Sequence, residues 1–289
     1  MSQMFEVLEN AELAEKVNRY RVYVPRIAQR RKAGQFVIIR IDENGERIPL
    51  TIADADPEAG ILTLVVQAVG KTTARMTQLR PGDRLLDVVG PLGAPTHVDK
   101  VGTVVMVGGG IGIAPAHPIA QAMRRAGNRV VSILGARGKD LLIMEDEMRA
   151  ASTEVQICTD DGSYGRKGLV TDVLRELIAK EGKPDLVVAI GPVVMMKFVC
   201  ALTREHAIPT VVSLNPVMVD GTGMCGGCRV SVGGETKFAC VDGPEFDGLK
   251  VDFEELMKRQ AFYREQEREA FGRFEEDCRL LRQAAAPTA

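Results

Sequence analysis

The chain has 289 residues, of which 45% are hydrophobic and 26% charged, and its formal net charge is −2 at pH 7. This length can supply roughly two or three domains with a sizeable buried core. The small net charge offers no electrostatic basis for binding nucleic acid or an anionic membrane surface, and the low aromatic content (4%, with no Trp) argues against a base-stacking platform.

The N-terminus MSQMFEVLENAELAEK carries charges every few residues and has no apolar core, so no signal peptide is expected. The most apolar run, VGTVVMVGGGIGIAPAHPIA, is broken by glycine and proline, which is typical of a buried strand and turn rather than a membrane span. We therefore expect a cytoplasmic protein. In that compartment, six cysteines indicate metal or redox chemistry rather than structural disulfides.

Residues 1–98 are predicted to form an all-β domain. Short runs rich in Val and Ile are separated by turn-forming segments such as ENGE and RPGD. Several short strands at this spacing are typical of a small barrel. The runs expected as strands are RYRVYVP, GQFVIIRID, GILTLVVQAV and DRLLDVVGPLG.

Residues 99–205 change to alternating strand and helix patterns, which predict a doubly wound parallel α/β domain. Residues 206–250 are glycine-rich, contain three cysteines and are predicted as a small separate domain. Residues 251–289 place apolar side chains between charges and are predicted as an amphipathic helical tail. The predicted fold class is thus α/β plus all-β, with a small C-terminal domain.

A glycine turn follows the first strand of the α/β domain. Gly108, Gly109, Gly110 and Gly112 precede a helix expected to start near Pro115. Such glycines allow a sharp turn and close approach of a pyrophosphate, which the N–H groups of the helix N-terminus then bind. Tight packing of strand on helix without any ligand is the alternative.

Two later loops are expected at the carboxyl edge of the same sheet, where both can face a nicotinamide dinucleotide. They are CTDDGSYG, residues 158–165, and AIGPVVMM, residues 189–196. The segment SILGARGKD has no acid at the end of its strand, so Arg137 is a candidate for binding a 2′-phosphate, which would favour NADP. The alternative is that Arg137 is merely solvated.

Two stretches of the β-domain carry the chemistry of a diphosphate clamp, namely an arginine and hydroxyls followed by backbone donors. In ERIPLTIAD, Arg47 stands four residues before Thr51, and in VVQAVGKTTARM, Gly70 precedes Thr72 and Thr73. An ordinary strand and a turn would also explain both stretches.

The order of the segments resembles the ferredoxin–NADP reductase superfamily, in which the barrel holds FAD. Here a predicted barrel is followed by GPLG and then by a nucleotide-binding α/β domain. The usual R-x-Y-S flavin motif stands here as Arg47-Ile48-Pro49-Leu50-Thr51, without the stacking tyrosine.

The cysteine segment reads Cys225-x2-Cys228-x11-Cys240. Plant-type [2Fe–2S] sites use C-x4-C-x2-C with a distant fourth cysteine. Stepping back by the same spacing from Cys225 reaches Asp220, a carboxylate with the −1 charge of the expected thiolate. The alternatives are a structural zinc site, a redox-active pair of Cys225 and Cys228, and a fourth ligand from Cys200.

The order of barrel, α/β domain and cysteine segment resembles the electron-transfer subunit of class 1B dihydroorotate dehydrogenase. VDGTGMCGGCRV and FACVDGPEFDG are more similar still to the small subunit of NADH-dependent reduced ferredoxin:NADP+ oxidoreductases, also called the beta subunit of sulfide dehydrogenase. The resemblance implies FAD at Arg47, Pro49, Leu50, Thr51, Val66, Gln67, Thr72 and Thr73. It implies NAD(H) at Gly109, Gly110, Gly112, Ile113, Ala114, Pro115, Asp160, Asp161 and Gly191. It implies [2Fe–2S] ligation by Asp220, Cys225, Cys228 and Cys240.

The same resemblance implies a larger partner subunit with a second FAD and two [4Fe–4S] clusters, where electron bifurcation takes place and which connects the chain indirectly to ferredoxin. The expected function is electron transfer between NAD(H) and that partner, with no catalytic acid or base in this chain. One alternative is the electron-transfer subunit of a dihydroorotate dehydrogenase or a sulfide dehydrogenase, and another is a non-enzymatic, zinc-stabilised nucleotide-binding adaptor. The tail is expected either to dock the partner or to pack on the chain itself.

Overall fold

The computed structural model describes residues 4–284, with the side chains of residues 277 and 280–284 excepted. The end of the predicted tail, residues 285–289, lies outside this range. In the described part, no helix is long and apolar enough to cross a membrane.

Six antiparallel strands form the N-terminal sheet in the order β1-β2-β5-β4-β3-β6. A bridge between Glu6 and Arg84 joins the segments that precede the two outer strands, so the sheet curls into a barrel. Its interior is filled by Tyr20, Ile39, Leu62 and Met76, all at most 1% exposed. The strands are β1 Val7–Ala14, β2 Val17–Tyr23, β3 Phe36–Arg40, β4 Ile48–Asp56, β5 Ile61–Gln67 and β6 Asp87–Leu92; the helices are α1 Pro25–Ala28 and α2 Lys71–Met76.

The second sheet has seven strands in the order β10-β9-β8-β7-β11-β12-β15, parallel except for the last. From β7 the chain adds β8, β9 and β10 in turn toward one edge of the sheet. It then returns to the centre and adds β11 on the other side of β7. This reversal creates a switch point between β7 and β11, where ligands bind in doubly wound folds. The strands are β7 Thr103–Gly109, β8 Arg129–Ala136, β9 Glu154–Thr159, β10 Arg166–Lys167, β11 Leu186–Ile190 and β12 Thr210–Ser213; the helices are α3 Ile113–Arg125, α4 Glu145–Ala151, α5 Val170–Glu181 and α6 Val193–Glu205.

The C-terminal segment adds a hairpin, β13 Arg229–Val232 and β14 Glu235–Phe238, whose turn is made by Gly233 and Gly234 with positive φ. Strand β15, Glu245–Asp247, pairs with β12, and helices α7 Phe253–Gln260 and α8 Arg264–Ala284 follow. Strands β12 and β15 both fall within 206–250, so this range completes the α/β sheet as well as holding the cysteines.

Several contacts join the parts of the molecule. His117 on α3 lies 3.2 Å from the carbonyl oxygen of Ala53 in β4. Thr96 in the connection after the barrel donates to the Glu245 carboxylate at 2.6 Å. The tail returns to the barrel, where Gln78 Nε2 lies 3.4 Å from Cys278 Sγ on α8. The described part of the tail therefore packs on the chain's own surface.

Candidate functional site

The crevice at the switch point is lined by closely packed glycines. A Cβ on Gly112 would lie 2.2 Å from the carbonyl oxygen of Ile190, and one on Gly109 would lie 2.3 Å from Met195 Sδ. Gly191 has φ +159°, and a Cβ there would lie 3.0 Å from the carbonyl oxygen of Gly109. These three glycines therefore let the ends of β7 and β11 pack together, which is the structural role left open by the sequence.

Gly110 is different, because it has φ +55° and a Cβ on it would meet nothing within 4 Å. It faces open space just before α3, which begins at Ile113 rather than near Pro115. The Ile113 and Ala114 side chains are buried in the core, so only their backbone N–H groups can contact a ligand. An open glycine before a helix N-terminus fits the approach of a pyrophosphate.

The loops after β8 and β9 lie side by side, because Asp161 N donates to the carbonyl oxygen of Arg137 at 3.1 Å. Asp161 Oδ1 accepts from the hydroxyl and the N–H of Ser163, and these bonds lower the pKa of Asp161. Its Oδ2 lies 2.8 Å from where a Cβ on Gly138 would stand. A carboxylate from the loop after β9 therefore lies beside the loop that follows β8.

Two basic side chains share this edge of the sheet. Arg137 is exposed, and Lys139 Nζ lies 5.5 Å from the ring centroid of Tyr164. Asp160 is also exposed, and its N–H donates to the carbonyl oxygen of Ala136. The edge thus carries both signs of charge, with the Asp161 carboxylate held in place by hydrogen bonds.

The predicted flavin clamp is built from α2 and the loop between β3 and β4. The Thr72 hydroxyl is buried and donates to the Glu46 carboxylate. Thr73 Oγ1 accepts from the N–H groups of Val69 and Gly70, both at 3.0 Å. Both hydroxyls are therefore committed within the protein, and a diphosphate would depend on Arg47 and on backbone N–H groups.

The outer face of the barrel is open along the first half of β4, where residues 48–51 are all partly exposed. This stretch includes Pro49, Leu50 and Thr51, so a flat ring can lie against it. Gln67 is partly exposed on neighbouring β5, whereas Val66 is 4% exposed with its side chain in the barrel core. Only the backbone of Val66 is available to a flavin.

Two of the expected donors in the cysteine loop form a close pair. Cys228 and Cys240 are buried, with their sulfurs 3.1 Å apart. Burial, and then the contact with Cys228, raises the pKa of Cys240. Asp220 Oδ1 accepts from Thr222 N and its Oδ2 from Cys225 N, both at 2.8 Å, and the bond from Thr222 is the main cause of its lowered pKa.

Backbone N–H groups point at cysteine sulfurs of the loop, with Gly227 N 3.4 Å from Cys225 Sγ and Cys240 N 3.5 Å from Cys228 Sγ. Such bonds stabilise thiolates and cluster sulfur. Between residues 4 and 284, no three His, Cys, Asp or Glu side chains are gathered as a finished metal site. Cys200 lies on α6 against Gly248, its pKa raised by burial to about 12. The donor chemistry therefore fits a thiolate-bound metal group, for which the four expected donors would have to move closer together.

The loop also touches the barrel. A Cβ on Gly221, which has φ +77°, would lie 2.7 Å from Leu92 Cδ1 and 2.9 Å from Ile38 Cδ1. Only glycine fits this position, both by its backbone conformation and by the space available. The residue that follows Asp220 is thus packed directly on β3 and β6.

Comparison with family models matches residues 106–201 to the oxidoreductase NAD-binding domain and residues 215–252 to the iron–sulfur cluster binding domain of dihydroorotate dehydrogenase B. Together with the barrel, these domains define an electron-transfer protein of the ferredoxin reductase fold. The chain is 52% identical over 269 residues to a dihydroorotate dehydrogenase B (NAD(+)) electron transfer subunit homolog of Thermotoga maritima, covering 93% of this chain and 95% of that one. It is 37% identical over 255 residues to the dihydroorotate dehydrogenase B (NAD(+)) electron transfer subunit of Geobacillus thermodenitrificans, covering 85% and 96%. The chain belongs to this family of electron transfer subunits and their homologues.

Among solved structures, a chain from a structure of an NADH-dependent reduced ferredoxin-NADP oxidoreductase, described for flavin-based electron bifurcation, superposes with a TM-score of 0.90. The two chains are 49% identical, and the match covers 95% of this chain and 99% of the other. The predicted fold class, the oxidoreductase class and the cofactors FAD, NAD(H) and an iron–sulfur cluster are confirmed. The individual site residues and the domain boundaries stay predictions.

Proposed function

We propose that this chain exchanges hydride with NAD(H) and passes single electrons to a larger flavoprotein, as a subunit of an electron-bifurcating NADH-dependent ferredoxin:NADP+ oxidoreductase. When bound, FAD supplies the hydride chemistry and the cluster supplies the one-electron step. Asp220 carries the proposal, because it stands at the sequence spacing expected for the first ligand and its carboxylate lies within the cysteine loop, where it accepts from the Cys225 N–H at 2.8 Å. The 49% identical bifurcating oxidoreductase chain supports the same assignment.

In the nucleotide crevice, this chain's residues bind and orient rather than transfer protons. Gly110 leaves room for the pyrophosphate over the N–H groups of α3, and Gly191 shapes the opposite wall. Asp161 favours NAD(H), because an ionised carboxylate accepts a hydrogen bond from a ribose hydroxyl and repels a 2′-phosphate. Arg137 remains the competing candidate that would favour NADP(H).

In the flavin site, Arg47 would bind the diphosphate, together with the backbone of Gly70 and the turn into α2. Pro49, Leu50 and Thr51 would pack against the flavin where the family's tyrosine is missing. Gln67 and the backbone of Val66 would line the adjacent strand. Thr72 and Thr73 act indirectly, because their hydroxyls shape the clamp through Glu46 and the N–H groups of Val69 and Gly70.

In the cluster site, Asp220, Cys225, Cys228 and Cys240 would hold the iron–sulfur cluster, which would supply one-electron transfer. The N–H groups directed at Cys225 Sγ and Cys228 Sγ support a thiolate-bound cluster. A structural zinc ion at the same donors is the alternative. We propose domain ranges of 1–98, 99–205, 206–250 and 251–289, with β12 and β15 contributed to the second domain by the third.

The surface around Cys225 is the proposed contact with the partner subunit. Cys225 is exposed, and Met224 beside it is 89% exposed. Val219 is 50% and Val241 49% exposed near the same loop. Exposed apolar side chains around an exposed candidate ligand suit a protein partner that must approach the cluster closely.

A second candidate function is the electron-transfer subunit of a dihydroorotate dehydrogenase, favoured by the names of the 52% and 37% identical relatives. The partner distinguishes the two. The tagged chain would be purified from its own cells with its partner attached, and the complex assayed with NADH, NADP+ and ferredoxin and, separately, with dihydroorotate. If the complex turned over dihydroorotate but showed no activity with NADH, NADP+ and ferredoxin, the second function would be correct and the proposed one wrong.

The cofactor part of the proposal is tested on the isolated chain by an anaerobic UV–visible spectrum, with iron, acid-labile sulfide and zinc assayed on the same sample. Flavin bands with about two irons and two sulfides per chain are expected. Zinc without sulfide would instead favour the non-enzymatic adaptor.

Asp220→Ala should lower the iron content and change the EPR signal of the reduced cluster. Asp242→Ala is the matched control, because Asp242 accepts the Phe238 N–H at 2.7 Å beside the same loop but is not an expected ligand. Equal iron content and EPR spectra in both variants would exclude Asp220 as a ligand.

A further inference from the structure

Helix α7 brings a cation to the cysteine loop. Phe253 and Leu256 bury one face of this helix in the core, and Arg259 follows three residues later on the same side. Asp252 caps the N-terminus of the helix, where its side chain accepts a hydrogen bond from the Glu255 N–H at 2.9 Å. The Arg259 guanidinium is thereby placed against the loop rather than in solvent.

Arg259 Nη2 donates to the carbonyl oxygen of Gly227 at 3.1 Å. Gly227 lies between Cys225 and Cys228, and its own N–H points at Cys225 Sγ. The guanidinium is therefore joined to the loop by a residue that separates two expected cluster ligands.

The charge of Arg259 is not balanced by the protein. Its Nε is buried and makes no hydrogen bond within the described residues, and none of their carboxylates forms an ion pair with it. A partly buried cation without a counter-charge or a full set of acceptors is costly. An anionic group held by the cysteine loop would supply that counter-charge.

We infer that Arg259 is the counter-charge of the iron–sulfur cluster and raises its reduction potential. The inference rests on the proposed function, since it requires a cluster at these ligands. When the cluster takes up one electron its charge becomes more negative by one, with no bond made or broken. A fixed positive charge nearby stabilises that reduced state more than the oxidised one, and net charge is one of the main determinants of cluster potential.

The same loop contains a matched comparison. Arg229 Nη1 donates to the carbonyl oxygen of Gly226, also at 3.1 Å, but the Arg229 side chain is exposed. The two arginines thus make the same hydrogen bond to adjacent glycines and differ in their contact with water. Because solvent and salt screen an exposed charge, Arg229 should affect the cluster much less than Arg259.

The test is an EPR-monitored redox titration of the full-length chain with its cofactors, as wild type, Arg259→Gln and Arg229→Gln. Arg259→Gln should lower the midpoint potential of the cluster by several times the shift caused by Arg229→Gln, with iron and sulfide contents unchanged. Equal shifts in the two variants, or no shift in Arg259→Gln with an intact cluster, would overturn the inference.

Arg259→Lys decides the case in which Arg259→Gln fails to assemble a cluster. Lysine keeps the charge but loses the planar fork of donors. An assembled cluster with a potential close to that of wild type would show that the charge is what the loop requires, whereas loss of the cluster here too would refute it. Absence of iron and sulfide from the wild-type chain is a separate result, which would refute the proposed function itself.

Discussion

The glycine turn at the nucleotide crevice and the glycine-rich cysteine loop are similar in composition but are held in different ways. In the turn, Gly109 and Gly112 are buried because the ends of two strands and a helix press on them. In the loop, Gly223 and Gly226 have positive φ, and a Cβ on Gly226 would meet only the far end of the Phe238 ring, at 3.8 Å. At Gly109 and Gly112 the turn is shaped by polypeptide packing, whereas at Gly223 and Gly226 the loop depends on a positive φ, and we expect a bound metal group to bring its donors together. Gly110 in the turn and Gly221 in the loop are the exceptions, because Gly110 faces open space and Gly221 packs on the barrel.

The largest difference between the two regions is expected in their hydrogen-exchange rates after iron is removed. After chelation under reducing conditions, amide hydrogen exchange over residues 214–240 should accelerate about 100-fold or more, because metal binding there contributes directly to local stability. Residues 103–125 should keep their exchange rates, since no metal ligand is expected among them. Mass spectrometry of the exchanged peptides is the measurement, and equal acceleration in both segments would contradict the distinction.

Alanine at Gly112 should mainly lower the stability of the fold, whereas alanine at Gly110 should mainly weaken nucleotide binding. Gly112→Ala should lower the free energy of unfolding by about 3 kcal/mol, because the added Cβ meets the Ile190 backbone, which cannot move aside. Gly110→Ala should cost only about 1 kcal/mol for its left-handed backbone, but should weaken ADP binding. Urea unfolding and calorimetric titration with ADP measure the two effects. A stable Gly112→Ala variant would show that packing does not shape the turn.

Glu245 lies between the barrel and the cysteine segment, and its ionisation should lower the stability of the fold. Burial raises the pKa of Glu245 from 4.5 to about 6, partly offset by the Thr96 hydroxyl. The fold therefore favours the protonated carboxyl, and this contribution is complete below pH 4.5 and is lost as the pH rises through 6. At neutral pH the cost is at most about 2 kcal/mol.

Glu245→Gln should accordingly be more stable than wild type at pH 7.5, by up to about 2 kcal/mol, and nearly equal at pH 4.5. Urea unfolding at the two pH values is the measurement. Glu235→Gln serves as control, because Glu235 is exposed in the hairpin. An unchanged stability of Glu245→Gln at pH 7.5 would mean that the ionised carboxyl is solvated in the folded chain.

The smallest expected effect concerns the choice of nucleotide. Asp161→Asn should improve binding of 2′,5′-ADP relative to 5′-ADP by about tenfold, since one repulsive charge is removed. Asp140→Asn, a neighbouring exposed acid, should leave the ratio unchanged. Calorimetry with both nucleotides measures the ratio. Wild-type preference for 2′,5′-ADP that is lost in Arg137→Ala would instead assign the selection to Arg137.

Much of the fold was predictable because long periodic segments report their own structure. The alternation after residue 99 predicts the α/β sheet, and the Val-rich runs predict most of the barrel. Strand β1, Val7–Ala14, was not predicted, because acidic residues obscure its alternation. The helix start at Ile113 also differed from the expected Pro115, since proline is tolerated within a first turn.

The sequence proposes site residues where a spacing has chemical meaning, as in D-x4-C-x2-C, and these stay predictions. It does not propose Gly138 or Arg259, because neither belongs to a local pattern. Gly138 is a candidate because it lies beside Asp161, and Arg259 because it bonds to Gly227. Both contacts join segments that are distant in sequence and meet only in the folded chain. For Thr72 and Thr73, the sequence suggested phosphate contacts, while the structure commits both hydroxyls to internal bonds.

The sequence by itself determined which donors the chain owns, where its glycines permit turns, and the order of barrel, α/β domain and cysteine segment. Tertiary structure decided which of those groups meet, and whether a given glycine serves packing or a ligand. The physical reason is that spacing and propensity act over a few residues, whereas burial, charge balance and carboxylate placement depend on segments brought together by folding.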